Sequence, residues 1–413
     1  MKSVDRDAGV NPGKMKILIN DHAGHPFQVQ LSRALAGRGH EVRHSFTAQL
    51  QTPRGALERR EADSINLDFF PIVLSRPFSR YGLLERARQE NELGRKLSAA
   101  ARRFHPDVVV SANTPLGAQA MLAKDCRKMG IGFVFWLQDL LGVGIRNNLE
   151  KKLPVPGKVV GRMYIGLEHR LLRQSEAVVA ITEDFVPICR KAGVAPERIH
   201  VVENWAPLDE VDVAEKENPW SRAHGLDGTF NFIYSGTLGM KHNPRLLVDL
   251  ARAFAGEKQV RVVVISEGLG AGFLKEQKEK PGLDNLVLMG FQPFDQVPLV
   301  QGAADVLVAI LEPDAGVFAV PSKVLTYLCA RRPLLLAVPP ENLAARIVSG
   351  QGAGIVAAPG DGEGFIDGAM RLWRDAALRQ KMAANGRRYA EKTFDIERIA
   401  DRFEGIIQGA KRK

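Results

Sequence analysis

Cysteine is scarce in this sequence: Cys126, Cys189 and Cys329 are the only three in 413 residues. They lie scattered in apolar or helical settings, with no CxxC pair and no His pair nearby. That pattern argues against a disulfide framework and a zinc site, and it fits a reducing cytoplasm. Aromatics are few as well, at 7%. Binding to nucleic acid calls for stacking aromatics among basic residues or a reading helix. Neither is found, so nucleic acid is not an expected partner. No apolar run approaches the roughly 18 residues needed to span a membrane. The first 14 residues, MKSVDRDAGVNPGK, lack the apolar centre of a secretory signal and read as a flexible leader. The glycine fingerprints GxGxxG and GxxxxGK[ST] are absent too.

Positive charge is plentiful. The formal net charge is +10, which points to acidic partners such as anionic lipid or phosphorylated substrates. The excess is concentrated at 76–104 and 146–174, where basic and apolar residues mix at helical spacing. Each stretch reads either as a solvated helix face or as a surface for an anionic membrane.

Short runs of Val, Ile, Leu and Phe alternate with helical patterns along the chain. In the first half they fall at 16–20, 41–46, 69–74, 106–112, 132–137, 177–182 and 198–204. Most show little polar alternation, as expected of strands buried on both faces of a parallel sheet. A polar stretch at 204–228 breaks the rhythm. The pattern resumes at 230–236, 259–266, 285–290, 304–311, 333–338 and 353–358. The fold class is therefore α/β, with two Rossmann-like, doubly wound parallel-sheet domains facing an interdomain cleft. The expected boundaries are a leader at 1–14, a first domain at 15–205, a linker at 206–228, a second domain at 229–390 and a C-terminal helix at 391–413.

Ligands of such sheets bind beyond the carboxyl ends of the strands. Five loops there carry suggestive residues. NDHAGHPFQ (20–28) has Gly24 between His22 and His25, either an ordinary turn or a point of close ligand approach. FWLQDLLGVG (135–144) ends an apolar strand with Gln138 and Asp139, and Asp139 is either a helix cap or a carboxylate for a sugar hydroxyl. YSGTLGMKHNP (234–244) brackets Thr237 with Gly236 and Gly239 ahead of Lys241 and His242, a pattern suited to a diphosphate. SEGLGAGF (266–273) offers Glu267 as an acceptor for a base or sugar, beside Gly268, Gly270 and Gly272. EPDAGVFAVPSK (312–323) runs from Glu312 through Gly316 to Ser322 and Lys323. The helix that follows, over about 322–331, should be capped by the Ser322 hydroxyl. Lys323 is then a cation at the positive end of a helix, with no acid in the same turn. Either a distant carboxylate or a phosphate would compensate it.

The order and spacing of these segments resemble the family 4 retaining glycosyltransferases of GT-B fold. The resemblance rests on KILINDHAGHP leading to LSRALAGRGHEV, AVVAITEDF to RIHVVENWAP, FIYSGTLGMKHNPRLLVDLA, VVVISEGLGAGFLKEQ and PSKVLTYLCARRPLLLAVP. The VPSK…YL…RP form is similar to the branch building bacterial exopolysaccharide, capsule or O-antigen units, fucosamine-type transferases among them. This resemblance implies a nucleotide-diphosphate sugar held mainly by the second domain and an acceptor, a polyprenyl-diphosphate-linked saccharide, held mainly by the first. It implies no cofactor and no metal, and a protein peripheral on the cytoplasmic face of the cell membrane. It also implies that the C-terminal helix crosses back onto the first domain.

On this reading Lys323, Lys241 and Asp139 are the catalytic candidates. Gly236, Thr237, Glu267, Gly268, Ser322 and Thr326 are donor-side candidates, and Gly24, His25 and Gln138 lie on the acceptor side. Some positions depart from the family pattern. Aligned on Tyr327–Leu328, the two positions where many members carry glutamate hold Phe318 and Thr326. Thr237 replaces a usual Arg, Gln138 a frequent His, and Arg331 the helix-ending Gly. A nucleotide-sugar epimerase of the same fold and a non-catalytic scaffold of a polysaccharide assembly complex are the alternative readings.

Overall fold

The computed structural model describes residues 13–50, 54–76, 83–152, 154–239, 242–313, 316 and 321–412. The chain forms two compact units. One holds the chain as far as Val202 together with its last segment from Glu397, and the other is Glu203–Ile396.

In the first unit the order is β1 (Lys16–Asp21), α1 (Pro26–Gly37), β2 (Glu41–Thr47), β3 (Leu67–Ile72), α2 (Leu83–Phe104), β4 (Val108–Ala112), α3 (Leu116–Lys128), β5 (Gly132–Leu137), α4 (Leu141–Lys152), α5 (Pro154–Gln174), β6 (Ala177–Ala180), α6 (Val186–Lys191) and β7 (Ile199–Val201). The sheet order is β3-β2-β1-β4-β5-β6-β7, parallel throughout. Strands β4, β5 and β6 are buried at every residue, which is why their sequences show no alternation. Most of the parallel crossovers carry a helix; the one from β2 to β3 has none among the described residues.

The second unit contains α7 (Pro219–Ala223), β8 (Phe230–Ser235), α8 (Arg245–Ala253), β9 (Val260–Ile265), α9 (Leu269–Lys278), β10 (Leu286–Met289), α10 (Val297–Gly302), β11 (Val306–Ile310), α11 (Lys323–Cys329), β12 (Leu334–Ala337), α12 (Leu343–Gln351), β13 (Gly354–Ala357), α13 (Gly362–Arg374) and α14 (Ala376–Thr393). Its parallel sheet runs β10-β9-β8-β11-β12-β13. Phe232, Tyr234, Val262, Val308 and Leu335 anchor a core with α8 and α13, through Leu247, Phe254 and Phe365.

Strand order reverses between β1 and β4 in one sheet and between β8 and β11 in the other. These are topological switch points, where loops diverge and leave room at the carboxyl ends. The loops at 20–28, 234–244 and 312–323 leave strands at these points.

The stretch 206–228, expected as a linker, is fastened to the second unit. Asn218 caps α7 in a reciprocal capping box with Ser221, and its amide also donates to the Leu299 carbonyl at 2.9 Å. Trp220 Nε1 donates to Gln292 Oε1 at 3.0 Å, and Lys216 pairs with Asp305 at 2.8 Å. Composition marked this stretch as polar, but those polar groups are spent on long-range bonds. The last helix, α15 (Ile396–Ala410), packs in the first unit. Its Phe403 ring lies 4.6 Å from Trp136, and Glu404 meets the buried His40 Nε2 at 2.8 Å. Gly132 admits the helix end, because a Cβ there would stand 2.1 Å from the Ala410 carbonyl oxygen.

The helix expected over about 322–331 is shorter, Lys323–Cys329. Ser322 has helical backbone angles and makes no side-chain cap bond, so the expected hydroxyl cap is corrected. Capping needs an extended residue whose side chain folds back over the free amides. Arg331 stands at φ 54°, the left-handed position that glycine usually fills after a helix. The leader, apart from Gly13 and Lys14, lies outside the described residues.

Candidate functional site

The second unit assembles its candidate site from the loops after β8, β9 and β11. Lys323 begins α11, and its side chain runs back beneath the β8 loop. Its Nζ lies 3.6 Å from the centroid of the Tyr234 ring. Part of the residue reaches the surface, but the ammonium itself is sealed and has no hydrogen-bond partner among the described residues. The atom-level burial governs its charge, and burial holds its pKa well below the ordinary lysine value. A desolvated cation–π contact supplies on the order of 2 kcal/mol. Burying an ammonium costs several. The aromatic face therefore leaves this cation under-compensated.

The loop over it is rigidly specified. Gly236 has φ 130°, and a Cβ there would press to 3.0 Å from Lys323 Cε and 3.1 Å from Nζ. Glycine is needed for the backbone angle and for the space. Tyr327 Oη grips the strand end, accepting from Ser235 N at 2.9 Å and donating to Ser235 O at 3.1 Å. Tyr234 Oη donates to the Thr237 carbonyl at 2.9 Å. Burial raises the pKa of both phenols, that of Tyr327 beyond the usual tyrosine range, so both stay protonated to donate.

The β9 loop is tied to the same platform. Leu238 N donates to Ser266 Oγ at 3.0 Å, and Gly270 N donates to Leu238 O at 3.1 Å. Gly268 stands at φ 107°, and a Cβ at Gly270 would come 2.8 Å from Leu238 Cβ. Those two glycines serve the packing of the loops. Gly272 faces open space, so nothing structural requires it. Glu267 and Thr237 are exposed at the rim. The α9 helix opens behind Gly268 with no side-chain cap and no acid in its first turn. Gly239 N donates to His242 Nδ1 at 3.0 Å. Thr326 is bound internally: its hydroxyl donates to the Lys323 carbonyl and accepts from Gln301 Nε2, both at 2.9 Å. It therefore holds α11 against α10. Lys241 and Phe318 lie outside the described residues.

The first unit has its own polar cluster at the β1–β4 switch. Asp21, buried and not singled out by the sequence, organises it. Its carboxylate accepts from Ala23 N at 3.1 Å and from the His25 amide at the start of α1. Gly24 turns at φ 78°, and a Cβ would strike Leu57 Cδ1 at 2.8 Å. The space over Gly24 is thus filled by the chain's own residues 54–57. His25 is half-buried and stacks on Phe27, with ring centroids 5.6 Å apart. His22 is buried with Nδ1 2.7 Å from Thr47 Oγ1. Burial first, then Arg86 and Arg54, depress its pKa to about 3, so it is neutral near pH 7.

Gln138 is buried and Asp139 half-buried at the end of β5. An acceptor for the first turn of α4 comes from farther along the chain. Glu168 of α5 accepts from Gly142 N at 3.2 and 3.3 Å. Burial raises the Glu168 pKa to about 7, opposed by the backbone donors of Gly142 and Leu141 and assisted by the nearby charge of Asp139. No local sequence signal marks this bond, which spans 26 residues.

Among the described residues no group of three or more His, Cys, Asp or Glu side chains could hold a metal ion. None of the helices there is long and apolar enough to cross a membrane. The three cysteines are free and buried.

Residues 25–205 match the family described as the Glycosyl transferase 4-like domain. Over 319 residues the chain is 22% identical to the Escherichia coli (strain K12) protein WcaI, provisionally named a colanic acid biosynthesis glycosyl transferase. That match covers 75% of this chain and 76% of WcaI. Among solved structures, Anabaena HepE in complex with UDP and glucose aligns with a TM-score of 0.70 at 17% identity, covering 95% of this chain and 98% of HepE. Sucrose-phosphate synthase from Thermosynechococcus elongatus aligns with a TM-score of 0.72 at 14% identity, covering 95% and 98%. WaaG, a glycosyltransferase involved in lipopolysaccharide biosynthesis, aligns with a TM-score of 0.68 at 14% identity, covering 95% and 99%. At these identities the structures establish the fold, that of the GT-B glycosyltransferases.

Proposed function

We propose that this protein is a glycosyltransferase of surface polysaccharide synthesis. It moves a sugar, with retention, from a nucleotide-diphosphate sugar to a saccharide carried on a polyprenyl diphosphate, at the inner face of the cell membrane. The observation that carries the reading is the sealed Lys323 ammonium beneath the Gly236 loop, which has no hydrogen-bond partner among the described residues. An unpaired buried cation is costly, and a phosphate oxygen at the loop would complete it.

Lys323 and the amides of the Gly236–Gly239 loop would hold the departing diphosphate, with Lys241 as a second cation and the Ser322 hydroxyl as a donor. Glu267 and Gly268 would lie toward the nucleoside. Asp139 and His25 would serve the reacting sugar and acceptor. The C1–oxygen bond to the diphosphate breaks, and a bond from C1 to the acceptor oxygen forms on the same face. The acceptor proton passes to a donor phosphate oxygen, and the nucleoside diphosphate leaves. Charge on the leaving group is balanced by fixed cations and amides, so the reaction needs no metal.

The ligands of a structural neighbour add support: the HepE complexes contain UDP, UDP with glucose, or UDP-glucose. The test is a thermal-shift screen of UDP-, GDP- and dTDP-sugars, followed by transfer of the stabilising donor's sugar to extracted lipid-linked saccharide. One donor class should stabilise selectively, and transfer should retain the anomeric configuration. Stabilisation by none, or release of free nucleoside diphosphate and an altered sugar without acceptor, would contradict the reading.

A further inference from the structure

We propose that the outer face of α5 is a docking surface for an anionic lipid membrane. The inference deepens the proposed function and rests on it, since a lipid-linked acceptor is presented at a membrane.

Helix α5 is two-sided. Its inner face carries Gly157, Gly161, Glu168, Leu171 and Leu172, all buried. The two glycines let α4 come close: a Cβ at Gly157 would stand 2.3 Å from the Leu149 carbonyl oxygen, and one at Gly161 2.7 Å from Arg146 Cα. The opposite face carries Val155, Val159 and Met163, 76%, 55% and 69% exposed. Spacing of four residues stacks them in one stripe, on the side turned away from α4. A solvated face would carry polar residues there.

Cations flank the stripe. Lys158, Arg162 and Arg170 are exposed, and none makes an ion pair among the described residues. The helix's one carboxylate, Glu168, is buried on the other side. A face of apolar side chains bordered by charge of a single sign matches an anionic headgroup layer over acyl chains. The long aliphatic stems let the cations reach headgroups while the stripe enters the interface. A protein partner of matching affinity would call for aromatic anchors, and this stripe has none.

The full chain is tested by cosedimentation with vesicles of phosphatidylcholine alone and with about one third phosphatidylglycerol. Binding is expected only with phosphatidylglycerol, weakening on the order of tenfold in high salt. The combined substitutions Val155→Ser, Val159→Ser and Met163→Ser should lower binding on the order of tenfold, with the thermal shift by UDP and UDP-glucose unchanged from wild type. Equal binding to both vesicles, or a triple variant that binds as wild type does, overturns the proposal. So does a wild-type dimer that the triple variant dissociates in sedimentation velocity, because the face is then a contact between copies. No vesicle binding by the wild type, with nucleotide binding present, counts against docking alone. No nucleotide binding by the wild type, with docking present, counts against the enzymatic reading alone.

Discussion

Lys323 Nζ stands 3.6 Å from the centroid of the Tyr234 ring, and no hydrogen-bond acceptor among the described residues meets it. A site that stores an uncompensated cation gives up stability for binding. Lys323→Met keeps the length and apolar stem and removes the charge. We expect it to raise stability by on the order of 1 kcal/mol, read as a higher Tm, while transfer activity collapses. A lower Tm together with normal kinetics would show that the ammonium is satisfied by something else.

Gly236 reports on the same geometry from the other side. Gly236→Ala places a methyl 3.0 Å from Lys323 Cε at a backbone angle of φ 130°. Strain of roughly 1–3 kcal/mol is expected, with at least about a tenfold loss in kcat/KM, equivalent to about 1.4 kcal/mol. Gly272→Ala, which meets open space, serves as the control and should leave kcat/KM unchanged.

Arg331 occupies a left-handed position at φ 54° after α11. Arg331→Gly should stabilise the second unit by roughly 1 kcal/mol, because a Cβ at that angle costs about 1–2 kcal/mol and glycine's greater unfolded-state freedom offsets part of the gain. Chemical denaturation read by circular dichroism gives the sign directly.

Glu168 gives a pH signature. Its folded pKa, about 7, lies above the ordinary glutamate value of 4.5. The folded state therefore holds this proton more tightly than the unfolded state. The contribution favours folding at low pH and is lost as pH rises through about 7. Glu168→Gln keeps an acceptor for the Gly142 amide without the charge. Its stability relative to wild type should grow between pH 4.5 and 7, by roughly 3 kcal/mol. A difference independent of pH would mean that the carboxyl is not held at a raised pKa.

Strand positions were legible because a parallel sheet buries both faces of its strands, as FWLQ after GFV and LLLAV after RRP illustrate. The glycines at 24 and 236 were legible as turns, and both have positive φ. What each glycine serves was not legible, because the atom that would clash comes from elsewhere: Leu57 for Gly24 and Lys323 for Gly236. The misfit of Lys323 with its helix end was readable from charge placement alone. Its seat against Tyr234 was not, because that contact joins residues 89 positions apart across neighbouring strands. Asp21 and Glu168 escaped notice for another reason: their partners are backbone amides, which sequence does not distinguish. Ser322 shows the converse error, a residue type suited to capping whose backbone angles do not permit it.

The central claim is that Lys323 meets the diphosphate of a nucleotide. Calorimetric titration of wild type and Lys323→Met with whichever of UDP, GDP and dTDP binds wild type most tightly tests it most directly. The account predicts at least about a hundredfold weaker binding by the variant, equivalent to about 2.8 kcal/mol. It also predicts proton uptake by wild type at alkaline pH, because an ammonium depressed by burial is restored when an anion arrives. Equal affinities, with no proton taken up, would contradict it.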